Sequence, residues 1–371
     1  MKLAPARWTC HGFALAISLS IGFWMPGSAQ GVATRLSDAE FWRLVTEFSE
    51  PEGNFPSENF ASNEHNLQSV IPELLRSATP ESAYIGVGPE QNFTYIAALR
   101  PRIAFIVDIR RQAILQHLLY KALFELAPDR ADFLSLLFSR PRPLALDSLS
   151  TPRQLFDAYE GVPPDSALCI RTLAAVTQQL VGNHRFAIDR NDLAGIAHVF
   201  EVIRFAGPEL NMGSGDAFKG YQPRASRTDP KAFAMIMAEK DNGGVQRSFL
   251  ASEQSYREIR DLQSRNLIVP VVGDFAGPKA LRSIGKYLRD RGAVVSTFYT
   301  SNVESILFQE GGWRGFYSNV RELPMDGRSL FVRWLPGTVY GQALGSMTDL
   351  LAALSAGTLQ NRDDLVRLSR H

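Results

Sequence analysis

The stretch that decides the fold reads YIGVGPEQNFTYIAAL over residues 84–99 and continues as RPRIAFIVD over residues 100–108. An apolar run reaches a Gly-x-Gly turn at Gly86 and Gly88, a helix-compatible segment follows, and a second apolar run stops at Asp108, 22 residues after Gly86. Glycines let the backbone turn sharply beside a ligand, and a carboxylate at the next strand end can accept hydrogen bonds from ribose hydroxyls. This layout predicts a nucleotide- or cofactor-binding β-α-β unit.

The first 29 residues have the pattern of a signal peptide. Lys2 and Arg7 give a positive start, residues 12–25 are apolar and uncharged, and small residues precede Gln30. This apolar stretch is shorter than the roughly 20 residues of a membrane span. We therefore expect cleavage and a periplasmic or secreted protein, with an uncleaved membrane anchor as the alternative. Exported proteins rarely meet the usual cofactors of such β-α-β units.

Bulk charge and cysteine content exclude several classes of function. The 371 residues include 39 basic and 38 acidic side chains, and loss of a leader containing Lys2 and Arg7 changes the net charge from +1 to −1. We therefore expect no nucleic-acid binding and no stable membrane span after leader cleavage, and the partner is an unknown small molecule or protein. Cys10 lies in the leader, so the exported form keeps only Cys169, for which we expect a buried apolar role.

Strand and helix patterns alternate at the front of the chain and in its last third. Helices are predicted over residues 38–48, 67–78, 110–126, 129–138, 248–265 and 279–290. Further strands are predicted over residues 267–274, 293–299 and 329–335. Pro270 within the first of these predicts an edge strand or a bulge, because proline cannot donate to a sheet. The alternation predicts an α/β fold with a doubly wound, mostly parallel sheet.

Between these two parts the sequence predicts a helical insertion. Residues 151–205 have helical patterns without a strong strand signal. Residues 207–226 form a glycine-, proline- and serine-rich stretch, which is typical of a binding loop or a connector. Residues 233–237 are predicted as a strand. The predicted organisation is a signal peptide at 1–29, a helical segment and loop at 30–83, an α/β domain at 84–345 with the insertion at about 127–245, and a helical tail at 346–371.

The polar segment from Glu50 to Asn66 has two interpretations. Phe55, Phe60 and residues 59–63 could fold over a neighbouring pocket, or the segment could be a surface loop anchored by two aromatic side chains.

The glycine turn favours one cofactor class over another. Gln91 stands where the dinucleotide fingerprint has its third glycine, which permits close packing under a pyrophosphate. S-adenosylmethionine has no pyrophosphate, and the segment resembles the class I S-adenosylmethionine-dependent methyltransferases, whose fold is Rossmann-like. In that family a glycine turn follows the first strand, an acidic residue ends the second, and an acidic or amide residue often ends the fourth. Here Tyr84 replaces the acidic residue usual before the first glycine.

The resemblance covers residues 84–125 and 267–335 and implies a set of site residues. Asp108 would hold the ribose, Gly86 and Gly88 would lie under the methionine part, and Asp274 would serve as the catalytic residue beside Phe275. The implied cofactor-binding residues are Gly86, Gly88, Glu90, Gln91, Asn92, Asp108, Ile109, Asp274 and Phe275. The chain also resembles an uncharacterised bacterial domain family around residues 87–93 and 298–304, which brings no assigned activity.

Each candidate also has a structural interpretation. Asp108 could cap the next helix, and Asp274 could be a turn residue before Gly277. Ser301 and Glu304 form a capping-box pattern, which favours a helix cap over a catalytic role for Ser301 and Asn302.

Other chemistries have little support in the sequence. Ser214 lies between two glycines but has no strand before it, as a nucleophile elbow requires. The histidines have no metal-ligand spacing, and we expect no metal site. Three hypotheses remain: methyl transfer from S-adenosylmethionine, a non-catalytic extracytoplasmic protein that binds a ligand or partner on the same fold, and another extracytoplasmic enzyme with unrecognised active groups.

Overall fold

A computed structural model describes residues 31–370 except 78, 80, 227 and 336–340, together with residues 1, 2 and 4. The predicted signal peptide at 1–29 therefore lies almost entirely outside the described residues. Among the residues that are described, no helix is both long and apolar enough to cross a membrane.

The described strands form one seven-stranded sheet. They are β1 Ala83–Gly86, β2 Ile103–Asp108, β3 Ile268–Val272, β4 Val295–Ser301, β5 Leu330–Trp334, β6 Gln342–Ser346 and β7 Ser369–Arg370. Their order across the sheet is β3-β2-β1-β4-β5-β6-β7. The pairs from β3 to β5 are parallel, and β6 is antiparallel to both β5 and β7. The predicted α/β fold with a mostly parallel sheet is confirmed.

Sixteen α-helices surround and extend this sheet in the described part of the chain. They are α1 Asp38–Phe48, α2 Ile71–Ser77, α3 Gln91–Leu99, α4 Arg111–Leu126, α5 Arg130–Phe138, α6 Pro152–Glu160, α7 Ser166–Thr177, α8 Arg190–Ala206, α9 Ser214–Phe218, α10 Phe233–Met237, α11 Glu253–Ser264, α12 Ala280–Asp290, α13 Val303–Glu310, α14 Trp313–Val320, α15 Met347–Ser355 and α16 Arg362–Arg367. A π-helix follows α7 at Gln178–Asn183, and a short 3-10 helix follows α8 at Gly207–Glu209.

The central strands β1, β2 and β3 are buried along their whole length. Every residue of β1, β2 and β3 is buried, which is the pattern of parallel strands packed between helices. Ile85 lies between Phe105 of β2 and Phe298 of β4 in the parallel register. The core is therefore built around β1.

The insertion between β2 and β3 is helical, as predicted, but it differs in two details. The expected strand at residues 233–237 is wrong, because this apolar run forms α10 and its Phe233 ring packs edge-on against Phe156 of α6. A five-residue apolar run does not distinguish a strand from a buried helix by periodicity. Residues 207–226 are not one long loop, since they contain the 3-10 helix and α9.

The predicted bounds of the first helix and the prediction for Pro270 are confirmed. The Ser37 side chain accepts a hydrogen bond from the backbone of Glu40 and so caps α1, which has the predicted bounds. Pro270 lies in β3, which pairs with β2 at one edge of the sheet. The sequence did not indicate β6 or β7, and β7 adds a strand to the tail predicted as helical.

A buried ion pair joins β5 to α13. Arg333 Nε donates to Glu304 Oε2 at 2.6 Å, and Thr300 and Tyr317 donate to the same carboxylate at 2.9 and 2.7 Å. The two charged side chains are 1% and 2% exposed. Gly345 of β6 makes room for this arrangement, because a Cβ there would overlap the Arg333 guanidinium.

We expect Glu304→Gln to lower the free energy of unfolding by about 3–5 kcal/mol, because an arginine that cannot deprotonate loses its buried counter-charge. Urea titration of the purified variant would measure the loss. The matched control is Asp290→Asn, which removes the exposed pair of Lys286 and Asp290 and should leave the free energy of unfolding nearly unchanged, because solvent screens this pair. Equal losses in the two variants would contradict the prediction.

Candidate functional site

The candidate site lies where the order of the strands across the sheet changes direction, between β1 and β4. In open α/β sheets, ligands bind outside the carboxyl ends of the strands at such a reversal. Gly86 ends β1 and Ser301 ends β4, so the residues that follow these two strands flank this position.

The glycine turn after β1 is closed by the chain's own side chains. Gly88 has a φ of +78°, which glycine adopts without strain. Asn92 Nδ2 donates to the carbonyls of Val87, Gly88 and Pro89 at 2.9, 3.2 and 2.8 Å. A Cβ on Gly86 would overlap Asn92 Oδ1 and lie 2.8 Å from the Tyr84 ring. Both glycines are thus required by local packing, whatever else the turn binds.

Residues 49–66, which we call the crossing segment, run along the carboxyl edge. At β3, Glu50 N donates to Val272 O at 2.9 Å, and Ser49 Oγ accepts from Val272 N at 2.9 Å. Beyond β2, Gly53 N donates to Ile109 O at 2.9 Å. The crossing segment therefore follows the sheet from its β3 edge inward.

The same segment then reaches the point where the strand order reverses. Gln116 Nε2 donates to Phe60 O at 2.6 Å, and Ser62 N donates to Glu90 Oε1 at 3.1 Å. Glu64 contacts Ser301 at the end of β4. Phe60 is completely buried. Residues 59–63 therefore lie over the neighbouring edge of the sheet, and Phe60 anchors them there.

Asp108 lies at the end of β2, where a ribose-binding carboxylate was expected, and it is paired with Arg110. Its Oδ1 accepts from Arg110 N and Nε at 3.0 Å each, and its Oδ2 accepts from Nη2 at 2.9 Å. Arg110 also donates to the carbonyls of Ser57 and Glu58 in the crossing segment. Asp108 is 3% exposed. The Asp108 carboxylate thus orients Arg110, which holds the crossing segment. The Ile109 carbonyl also holds this segment by accepting from Gly53 N.

Asp274 and Phe275 lie away from the glycine turn. They follow β3, the third strand along the chain, which lies two places from β1 in the sheet. The expected place of Asp274 at the end of the fourth strand is therefore wrong. The insertion separates β2 from β3 along the chain, but the two strands pair in space. Asp274 Oδ1 accepts from Ala276 N at 2.8 Å, as a turn residue does. Phe275 is buried and stacks on Phe316 at 5.4 Å.

The first turn of α12, next to Asp274, is occupied by the crossing segment. Glu50 Oε1 accepts from the backbone of Lys279 and Ala280 at 2.8 and 2.6 Å. A carboxylate is favourable at a helix N-terminus, where backbone N–H groups are unpaired.

Three buried side-chain atoms beside the glycine turn have no hydrogen-bond partner among the residues that the structure describes. They are Glu90 Oε2, Gln91 Oε1 and His117 Nδ1. His117 Nε2 donates to Gly88 O at 2.9 Å, and Gln91 Nε2 donates to Tyr299 OH at 3.1 Å, so these side chains are fixed by their other atoms. Burial raises the pKa of Glu90 to about 7 and lowers the pKa of His117 to about 4. The sequence marked Glu90 and Gln91 but not His117, which is distant in the chain.

Glu64 and Ser301 form a second polar group at the end of β4. Ser301 has a φ of +51° and its Oγ donates to Glu64 Oε1, while Gln342 Nε2 donates to Glu64 Oε2 at 2.7 Å. Burial raises the pKa of Glu64, which is 3% exposed. The predicted capping box is wrong, because Asn302 makes no side-chain cap to α13 and Glu304 pairs with Arg333.

We expect Gly86→Ala to lower the free energy of unfolding by about 1–3 kcal/mol, because the added methyl group overlaps Asn92 and the Asn92 bonds to the turn must shift. Thermal unfolding would show the loss. Gly161→Ala is the matched control, since a Cβ there meets no atom within 4 Å. A similar midpoint for both variants would show that the turn tolerates the overlap.

We expect Glu90→Gln to be more stable than the wild type at about pH 8. Because burial raises the Glu90 pKa from 4.5 to about 7, the folded state binds this proton more tightly than the unfolded state. That contribution to stability is fully present below pH 4.5 and is lost as the pH rises through about 7. Glutamine is neutral at every pH, so the variant should lack the part of the fall in stability with rising pH that Glu90 causes.

Urea titrations at several pH values between roughly 5 and 8 would measure this difference. Burial also raises the pKa of Glu239 to about 7, so some decline should remain in the variant. The exposed Glu47, which pairs with Arg43, provides the control variant Glu47→Gln. The same pH dependence in wild type and Glu90→Gln would refute the assignment.

Comparison with known sequences identifies a family. Residues 59–145 and 220–361 match the sequence profile of a domain of unknown function, DUF7790. These ranges include Glu64, the glycine turn, Asp108 and Ser301, while residues 146–219 of the insertion lie outside them. No curated protein matches the chain. Because the profile covers more than half of its length, the chain belongs to the DUF7790 family.

Proposed function

We propose that this protein binds a small ligand at the carboxyl edge between β1 and β4 without transferring a methyl group. The observation that carries the proposal is the set of unpaired acceptors on Glu90, Gln91 and His117, which lie beside the glycine turn under the crossing segment. Leaving a buried acceptor unpaired costs about 1–3 kcal/mol. A ligand that donates hydrogen bonds would recover that free energy.

The chemistry of these groups defines the ligand class. The unpaired atoms of Gln91 and His117 are acceptors, and Glu90 Oε2 becomes an acceptor when the carboxyl group loses its proton. A neutral or cationic molecule with several N–H or O–H groups fits them, whereas an anion would meet only acceptors. The ligand we propose is therefore a small amine or a similar donor-rich molecule.

The fold itself supports a Rossmann-like origin of methyltransferase type. The order β3-β2-β1-β4-β5 is compatible with a Rossmann-like arrangement, and Gly86 and Asp108 lie at the carboxyl ends of neighbouring strands. These features favour S-adenosylmethionine-dependent methyl transfer as a second candidate. Against it, Arg110 already occupies Asp108, and the crossing segment lies where the cofactor would bind.

The leader-like pattern of residues 1–29 supports a periplasmic or secreted location. This location favours the first candidate, since the methyl donor is made in the cytoplasm. N-terminal sequencing of the exported protein would test it: a start at Gln30 is expected, and retention of residues 1–29 would overturn it.

A thermal-shift series on residues 30–371 would distinguish the two candidates. We expect ethanolamine, a donor-rich probe, to raise the unfolding midpoint, and acetate, which lacks donors when ionised, to leave it unchanged. A ligand at about 100 times its dissociation constant stabilises by roughly 2.7 kcal/mol. Glu90→Gln should abolish the ethanolamine shift, because glutamine cannot supply a carboxylate to the ammonium group.

The same series would include S-adenosylmethionine, S-adenosylhomocysteine, NAD and NADP. No shift is expected with these four, since the crossing segment closes the edge. A shift with the two adenosyl sulfur compounds that disappears in Asp108→Asn would establish the second candidate instead. If ethanolamine gave no shift and native mass spectrometry found no co-purifying small molecule, the ligand-binding proposal would be overturned.

A further inference from the structure

Ser301 occupies a backbone position that serine rarely adopts. It ends β4 with a φ of +51°, and α13 begins two residues later. Left-handed conformations of residues other than glycine cost about 1–3 kcal/mol and occur where the surrounding structure enforces them, often at functional sites. A sharp strand-to-helix turn is also the setting that exposes the nucleophile of serine hydrolases. Ser301 is half-buried and lies at the reversal of strand order.

The Ser301 hydroxyl has a base within hydrogen-bond reach, and that base is itself oriented. Ser301 Oγ donates to Glu64 Oε1, and Gln342 Nε2 donates to Glu64 Oε2 at 2.7 Å. A nucleophile bonded to a base that a third group orients is the arrangement that activates serine in covalent catalysis. Here the crossing segment supplies the base, β4 the nucleophile and β6 the orienting amide.

Backbone donors are available next to this hydroxyl. Asn302 makes no side-chain cap to α13, and the first bond of the helix runs from Ile306 N to Asn302 O at 3.2 Å. The N–H groups of residues 303–305 are therefore not used within the helix. Unpaired N–H groups at a helix start, together with the helix dipole, stabilise negative charge that develops on a substrate oxygen.

We propose that Ser301 is the nucleophile of an acyl-transfer site with Glu64 as its general base, acting on small uncharged carboxylic esters. Ser301 Oγ attacks the ester carbonyl as Glu64 takes its proton. The C–O bond to the alcohol then breaks, and the alcohol leaves with that proton. Water, deprotonated by Glu64, cleaves the acyl-serine and restores the hydroxyl, so ester and water give acid and alcohol. An anionic ester is disfavoured because Glu64 is a buried carboxylate.

The surroundings of Glu64 suit it to this role. Burial raises its pKa, which makes the ionised form a stronger base than an ordinary carboxylate. The titratable side chains that face it are Tyr84, Tyr95 and Tyr299, and burial raises their pKa values as well, so they stay neutral. Of these four side chains, Glu64 is the one whose carboxylate accepts a hydrogen bond from the Ser301 hydroxyl.

The test uses the exported chain with a fluorophosphonate probe, which labels activated serines, and p-nitrophenyl acetate as the ester. We expect labelling and ester hydrolysis in the wild type and neither in Ser301→Gly. Glycine is the suitable replacement because it adopts a φ of +51° without strain. Ser214→Ala is the control: its hydroxyl is buried and bonded to Asn211, and its loss should leave labelling unchanged.

Glu64→Gln separates a catalytic base from a structural contact. It keeps the shape of the side chain but cannot accept a proton, so kcat/KM should fall by about 10²–10⁴-fold. The wild-type rate should rise with pH as Glu64 ionises, and the residual rate of the variant should lose that step. Circular dichroism would verify that both variants fold.

Absence of labelling in the wild type, or labelling that survives Ser301→Gly, would overturn the proposal. If either variant failed to fold, Ser301→Cys would replace it, and alkylation of this cysteine by iodoacetamide no faster than that of the buried Cys169 would count against an activated position. The inference goes beyond the proposed ligand site and does not depend on it. Ethanolamine binding lost in Glu90→Gln and ester hydrolysis lost in Ser301→Gly are separate readouts.

Discussion

Backbone and side-chain groups at the carboxyl ends of parallel strands need polar partners, and in this protein the crossing segment, residues 49–66, supplies many of them. It bonds to Val272 at the end of β3, to Ile109 beyond β2, to Glu90 beyond β1 and to Ser301 at the end of β4. Because buried polar groups are costly when unpaired, these bonds tie the N-terminal part of the chain to the sheet. This segment therefore lies along the edge that many α/β proteins leave open for a cofactor.

The charged groups at this edge bond to the crossing segment or to its partners. Asp108 has the position of a ribose-binding carboxylate but is paired with Arg110, which in turn holds the crossing segment. Glu50 of the crossing segment likewise accepts hydrogen bonds from the backbone at the start of α12. Two sets of groups at this edge are candidates for binding or catalysis: the unpaired acceptors near Glu90, and the contact of Ser301 with Glu64. Both proposals for function rest on these sets.

Local signals in the sequence predicted much of the fold. The capped helix at Asp38–Phe48, the strand ending at Asp108 and the edge position of Pro270 all follow from periodicity, capping and proline chemistry. The same reasoning failed at residues 233–237 and at the supposed capping box of Ser301. In both places a tertiary contact decides the conformation: ring packing against Phe156 in the first, and the pairing of Glu304 with Arg333 in the second.

The sequence by itself determined the alternation of strands and helices, the glycine turn and the burial of the central strands, since these depend on residues close together in the chain. Only the tertiary structure decided that the strand before Asp274 pairs with β2, that Arg110 pairs with Asp108, and that Glu64 meets Ser301. Glu64 and Ser301 are 237 residues apart. Periodicity and capping rules describe neighbours along the chain, so contacts over such separations arise only when the sheet assembles.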